Sequence, residues 1–166
     1  MEIKSPKICD HTSVGVVLED KQGNVLLLKR ALFPVGMAPP AGHIDDHGSP
    51  EQAAIDEVEE EVGLVVAIQN LHKTAIQKRR TNLSCRRIDG DHHDWWVYTT
   101  DTYDGELRPS PDETKGANWY GRDELQAFAD RTRAFQAGSI TDEDYQANPG
   151  FDEVWLDFLV ELGYVE

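Results

Sequence analysis

Cysteine, positive charge and long apolar runs are all scarce in this chain. Only Cys9 and Cys85 are present, too few and too far apart to act as a disulfide scaffold, so two free thiols in a reducing compartment are expected. No apolar stretch approaches the length of a membrane span, and the start MEIKSPKICDHTS lacks the hydrophobic stretch of a secretory signal. The expected setting is therefore the cytoplasm, with no membrane partner. Lys plus Arg number 16 against 31 Asp plus Glu, a formal net charge of -15. So anionic a surface repels nucleic acid phosphates and argues against nucleic acid as a broad-surface partner. If the substrate is itself anionic, bound metal has to supply much of the local positive charge.

What is present suffices for one core. The 166 residues are 39% hydrophobic and 28% charged, which predicts a single domain over 1–166 with residues 122–166 as a helical C-terminal extension. Residues 12–20 and 25–30 read as β-branched and aliphatic strands around a Lys21-Gln22-Gly23-Asn24 turn, together a hairpin. Residues 33–40, with Pro34, Gly36, Pro39 and Pro40, read as a loop. Further strands are predicted at 64–76, 95–100 and 117–120, with a polar, basic loop over 78–94. Helices are predicted over 122–137, shortly after Ser139, and over 151–162, the last with amphipathic spacing. Strands, one central helix, more strands and terminal helices give an α/β or α+β fold: a mixed β-sheet layered between helices.

The central helix is the best defined element. Ser49 can cap it, Pro50 suits its first position, Gln52 completes a capping box, and Gly63 ends it. It carries Glu51, Asp56, Glu57, Glu59, Glu60 and Glu61, a density of like charge that is unfavourable without a compensating cation. At roughly 100° per residue, Ile55, Val58, Val62 and Ala54 share an apolar arc while Glu57, Glu60 and Glu61 share another. Hard divalent cations such as Mg2+ take oxygen ligands of this kind. A solvated acidic face is the alternative for any arbitrary run of glutamates.

Residues 42–64 resemble the Nudix box, G-x5-E-x7-R-E-U-x-E-E-x-G-U with U a bulky aliphatic. Gly42, Glu57, Val58, Glu60, Glu61, Gly63 and Leu64 stand in register. Two positions depart: Gly48 stands where the pattern has its first glutamate, and Asp56 where it has the arginine that helps orient neighbouring carboxylates. Asp45, Asp46, His43 and His47 are the neighbours able to replace the missing glutamate, although His43 and His47 read as loop residues rather than ligands.

The resemblance implies Glu57, Glu60 and Glu61 as ligands of Mg2+ or Mn2+, joined by the Ala41 main-chain carbonyl. It implies hydrolysis of a nucleoside diphosphate linked to another group, by water attack on phosphorus, with a small-molecule partner and a homodimer as a common assembly. Glu60 or Glu57 is the candidate base within the box. Glu113, in the loop before Trp119, stands where other members place one. Arg30, beside the Pro-rich loop, is a candidate phosphate contact through its guanidinium fork. Arg79, Arg80, Arg86 and Arg87 form a basic island that is either solvated or substrate-facing. Trp95, Trp96, Tyr98, Trp119 and Tyr120 read mainly as core, with base stacking as the alternative. Two other functions compete. Isopentenyl diphosphate isomerisation needs a cysteine before the box, whereas Cys85 follows it. A catalytically weak Nudix domain that binds a nucleotide as a sensor is motivated by Gly48 and Asp56.

Overall fold

The computed structural model describes residues 5–166. The run Thr-Ser-Val-Gly-Val-Val-Leu forms strand β1 (Thr12–Leu18), which lies inside a four-stranded sheet between β4 (Ala41–Gly42) and β6 (His93–Thr100), with β5 (His72–Thr81) at the far edge. β1 and β6 run parallel and the other pairs antiparallel, so this sheet is mixed. A second, antiparallel sheet has the order β3 (Met37–Ala38), β2 (Val25–Arg30), β7 (Thr114–Tyr120).

The predicted hairpin of β1 and β2 does not form. The two strands belong to different sheets and, among the described residues, pair only through an isolated Glu19 to Val25 bridge beside the Asp20–Asn24 turn. Both are apolar at successive positions because both of their faces are covered, the signature of an interior strand rather than of an amphipathic hairpin. Val14, Val16, Leu18, Leu26 and Leu28 face helix α1 (Pro50–Val62), packing with Ala53, Ala54, Val58 and Val62. Val17, Val25 and Leu27 face the other way, toward Leu125 and Ala129 of α2 (Arg122–Gln136) and Trp155, Phe158 and Leu159 of α4 (Glu153–Glu161). Helix α3 (Asp142–Ala147) lies between those two in sequence and buries Tyr145. The sheets are thus layered between α1 and the terminal helices.

Two other expectations are corrected. Residues 64–71 are not a strand: after Gly63 adopts the left-handed conformation (φ 77°), Leu64 and Val66 drop into the core beneath α1, and a short 3-10 turn follows at Ile68–Asn70. Their alternation comes from this plugging contact and mimics a strand. The strand instead begins at His72 and continues through the polar residues 78–81, which fall within the basic stretch expected to be a loop. As an edge strand with bulges near Gln77 and one partner, β5 carries Lys78, Arg79 and Arg80 toward solvent. Trp95 and Trp96 face opposite clusters, Trp95 packing edge-on against Trp155 and Phe158, and Trp96 against the α1 side. Among the described residues no helix is long and apolar enough to cross a membrane.

Candidate functional site

Helix α1 begins as its sequence dictates. Ser49 Oγ accepts from Gln52 N at 3.1 Å and Pro50 occupies the first turn, satisfying an otherwise orphaned amide. The capping box is only half made, because the Gln52 side chain donates forward to Asp56 Oδ1 at 2.8 Å instead of back to Ser49.

From this helix three glutamates emerge at different depths: Glu61 is buried, Glu57 half-buried and Glu60 exposed. Glu61 Oε1 accepts from Ala41 N at 2.7 Å, which fixes the helix to the last residues of the Pro-rich segment. Gly42, beside it, leaves room for the Glu57 carboxylate, since a Cβ there would run into it and displace it. Burial, reinforced by Glu61, Glu60, Glu113 and Asp45, pushes Glu57 up to about 9. Burial also pushes Glu61 up to about 8, with Glu113 and Glu60 adding to it while the Ala41 amide and Arg30 oppose it. The charges of these carboxylates raise one another, with too little positive charge nearby to offset them. An all-oxygen donor set in that electrostatic state fits a hard divalent cation.

The remaining predicted residues fall into two groups. Glu113 is exposed just before β7, close enough for its charge to raise both Glu57 and Glu61. Arg30, at the end of β2, lies with its Nε 3.9 Å from Asp152 Oδ2 and donates to the Pro34 carbonyl at 2.8 Å. Its charge opposes the upward shifts of both Glu61 and Asp152, placing it between the acidic helix and α4. The basic island is largely neutralised: Arg79 pairs with Glu161, Arg80 with Asp94 and Arg87 with Asp45, each at 2.7 Å.

His43 follows β4 outside any regular element, and His47 belongs to a short turn that returns to α1. His47 closes the 3-10 turn Asp45–His47, where Nδ1 lies 2.7 Å from Asp56 Oδ2 and Nε2 lies 3.7 Å from Glu57 Oε1. Gly48 follows with φ 95°, a backbone conformation that glycine adopts without strain and that carries the chain from this turn into the Ser49 cap. His43 is pushed down to about 4 by burial and by the nearby Arg87 guanidinium, so its ring is neutral.

Ala41 and Gly42 also form one wall of a cavity of about 340 Å³, with Arg30, Phe33, Trp95, Phe151 and Asp152 among its lining. The α1 glutamates do not line this cavity, so the two features adjoin across β4. Asp152, which caps α4 by accepting from Val154 N, is buried and pushed up to about 6, with Arg30 opposing the shift. Sequence reading missed it because an aspartate before an amphipathic helix signals a cap and nothing more.

The NUDIX domain family matches residues 10–142. No curated protein sequence matches the chain. A MutT NUDIX hydrolase from Burkholderia pseudomallei is 25% identical, with 68% of this chain and 84% of that chain covered and a TM-score of 0.54. The MutT protein of Methanosarcina mazei Go1 shares the fold at 14% identity, over 98% of this chain and 96% of its own, with a TM-score of 0.61. An Ap4A hydrolase from C. elegans shares it at 23% identity, over 76% and 98%, with a TM-score of 0.52.

Proposed function

From the chain's membership of the Nudix family of hydrolases, we propose that it hydrolyses a nucleoside diphosphate linked to another group, with Mg2+ or Mn2+ held by Glu57, Glu60, Glu61 and the Ala41 carbonyl. The observation that carries this reading is the seating of two α1 carboxylates on β4, Glu61 on the Ala41 amide and Glu57 against Gly42, beside a cavity of nucleotide-compatible size. When bound, the cation supplies charge neutralisation for the diphosphate and a lowered pKa for the attacking water.

The protein residues have separable tasks. Glu61 is fixed by the Ala41 amide and so holds the helix in register with β4. Glu57 lies against Gly42 at the junction of the acidic face and the cavity. Glu60, exposed, and Glu113, from the opposite loop, are the groups with room to take the proton of the attacking water. Arg30 orients a phosphate at the cavity mouth. Phe33, Trp95 and Phe151 offer the moiety linked to the phosphates an apolar and aromatic wall. Residues 122–166 act as part of the same unit, because Phe151 and Asp152 complete that wall.

A panel of nucleoside diphosphate derivatives, including MutT-type and Ap4A-type substrates, incubated with Mg2+ or Mn2+ and scored for phosphate-containing products, tests the reading. Tight nucleotide binding with no turnover across the panel would instead identify a sensor built on the same fold.

A further inference from the structure

Outside the acidic helix, the fold gathers four metal-ligating side chains that are remote in sequence. Cys9 precedes β1, His43 follows β4, Cys85 lies between β5 and β6, and His93 opens β6. Their ligand atoms all lie within 4.8 Å of one another. Cys9 Sγ is 3.5 Å from His43 Nε2 and 3.3 Å from His93 Nε2, while Cys85 Sγ is 3.9 Å from Cys9 Sγ and 3.8 Å from His43 Nε2.

These separations can be compared with the edges of a coordination tetrahedron. With Zn–S near 2.3 Å and Zn–N near 2.0–2.1 Å, a tetrahedral site has S–S edges of about 3.8 Å and S–N edges of about 3.5 Å. Two cysteines forming a disulfide would stand much closer, with sulfurs at about 2.05 Å. We propose that Cys9, His43, Cys85 and His93 form a closed Cys2His2 site for one structural Zn2+, separate from the carboxylate site on α1.

The surroundings of the four groups suit that assignment. His11 N donates to Cys9 Sγ at 3.3 Å and Arg87 N to Cys85 Sγ at 3.4 Å, so each sulfur receives an amide from two residues downstream, as a thiolate ligand requires. His93 Nδ1 lies 3.1 Å from the Leu83 carbonyl; donating there leaves Nε2, the nitrogen facing Cys9, with its lone pair free. Gly90 lies so close to Cys85 that a Cβ would strike the sulfur, and Cys85 N donates to Gly90 O at 2.7 Å, closing the loop around it. Two thiolates and two neutral imidazoles balance the charge of Zn2+, so the occupied site is neutral where Cys9 and His93 are buried. The ligands are softer than the oxygens on α1, so the two sites select different metals. Because His43 directly follows Gly42, the zinc would also anchor the strand that carries Ala41 and Gly42.

The full-length chain, purified without chelator and analysed by elemental mass spectrometry, is expected to carry about one zinc per chain. Exchange for Co2+ should produce the intense visible bands of a tetrahedral ion together with a thiolate-to-cobalt charge-transfer band. Cys85→Ser should lose the charge-transfer intensity in part and bind zinc at least about 10-fold more weakly, whereas Glu57→Gln with Glu60→Gln should keep zinc at full stoichiometry. If Cys85→Ser is insoluble, release of zinc from the wild-type chain by thiol-specific mercurial titration, read with a zinc dye, replaces it. Absence of zinc after growth in zinc-supplemented medium, a Cys9–Cys85 disulfide in the freshly purified chain, a cobalt derivative with no thiolate charge-transfer band, or zinc lost with the glutamate substitutions would overturn the proposal.

Discussion

His47 Nδ1 lies 2.7 Å from Asp56 Oδ2, and the same ring presents Nε2 3.7 Å from Glu57 Oε1. The family pattern puts an arginine at position 56 to orient carboxylates. Here the polarity is reversed: the helix supplies the acid, and the nitrogen donor comes from the preceding turn. Asp56 therefore does not simply add repulsion to the acidic face, because Gln52 and His47 both engage it. We expect His47→Ala and Asp56→Asn each to lower kcat by about 10-fold, in the range typical of a residue that orients a ligand. KM should change little, since the effect is on geometry in the transition state. The double variant should be no worse than the poorer single one; additive losses would show that the two residues act independently.

Glu57→Gln, Glu60→Gln and Glu61→Gln should each reduce hydrolysis by more than about 100-fold, beyond the cost of losing an orienting residue, and weaken Mg2+ binding measured by titration calorimetry. Glu59, exposed and pointing off the cluster, provides the control. Glu59→Gln is expected to stay within a factor of about two of the parent, since one remote exposed charge contributes little. Equal losses at all four positions would replace the geometric site with a diffuse charge effect.

Metal-free stability should fall with rising pH. Glu57 and Glu61 keep their protons up to about 9 and about 8 in the folded chain, against an ordinary value of 4.5. Between those limits the folded state binds more protons than the unfolded state, so the contribution is fully present below the ordinary value and is lost as pH climbs through the raised ones. In chelator the melting temperature is expected to drop by about 5 °C or more between roughly pH 5 and pH 9, each kcal/mol being worth about 2–4 °C for a chain of this size. Millimolar Mg2+ should remove most of that drop, because it binds the ionised, folded form. A flat profile in chelator would mean that the carboxylates find other compensation.

Gly42→Ala separates packing from chemistry. The atoms that an added Cβ would meet are the end of the flexible Glu57 side chain, not backbone. The melting temperature is therefore expected to hold within about 2 °C, an energy change below about 1 kcal/mol, while turnover falls at least about 10-fold as Glu57 swings away. A large loss of stability with unchanged specific activity would show that Glu57 is free to move.

Arg30→Met should raise KM for a diphosphate substrate by about 10-fold, one charge-assisted contact being worth about 1.4 kcal/mol or more. kcat should change less. Steady-state kinetics under saturating Mg2+ distinguishes this from a structural role in holding Pro34 and Asp152, which would lower the melting temperature instead.

Local sequence determined the element that carries the chemistry. Ser49, Pro50 and Gly63 set the ends of α1 through contacts within a few residues, and helical geometry alone put Glu57, Glu60 and Glu61 on one arc. The resemblance of residues 42–64 to the Nudix box added Gly42, whose bare Cα is seen to leave room for the Glu57 carboxylate only with Glu57 packed against it. Tertiary structure decided the rest. Whether β1 pairs with β2 or with β6 depends on which faces the helices cover, and an apolar run reads the same in either case. The role of His47 depended on a turn bringing it back over Asp56, the burial of Asp152 on α4 docking beside Arg30, and the meeting of Cys9 with Cys85 on two loops closing at one end of a sheet. Periodicity and capping are short-range and so are written along the chain. Contacts between residues dozens of positions apart arise from the packing of whole elements, which no local pattern encodes.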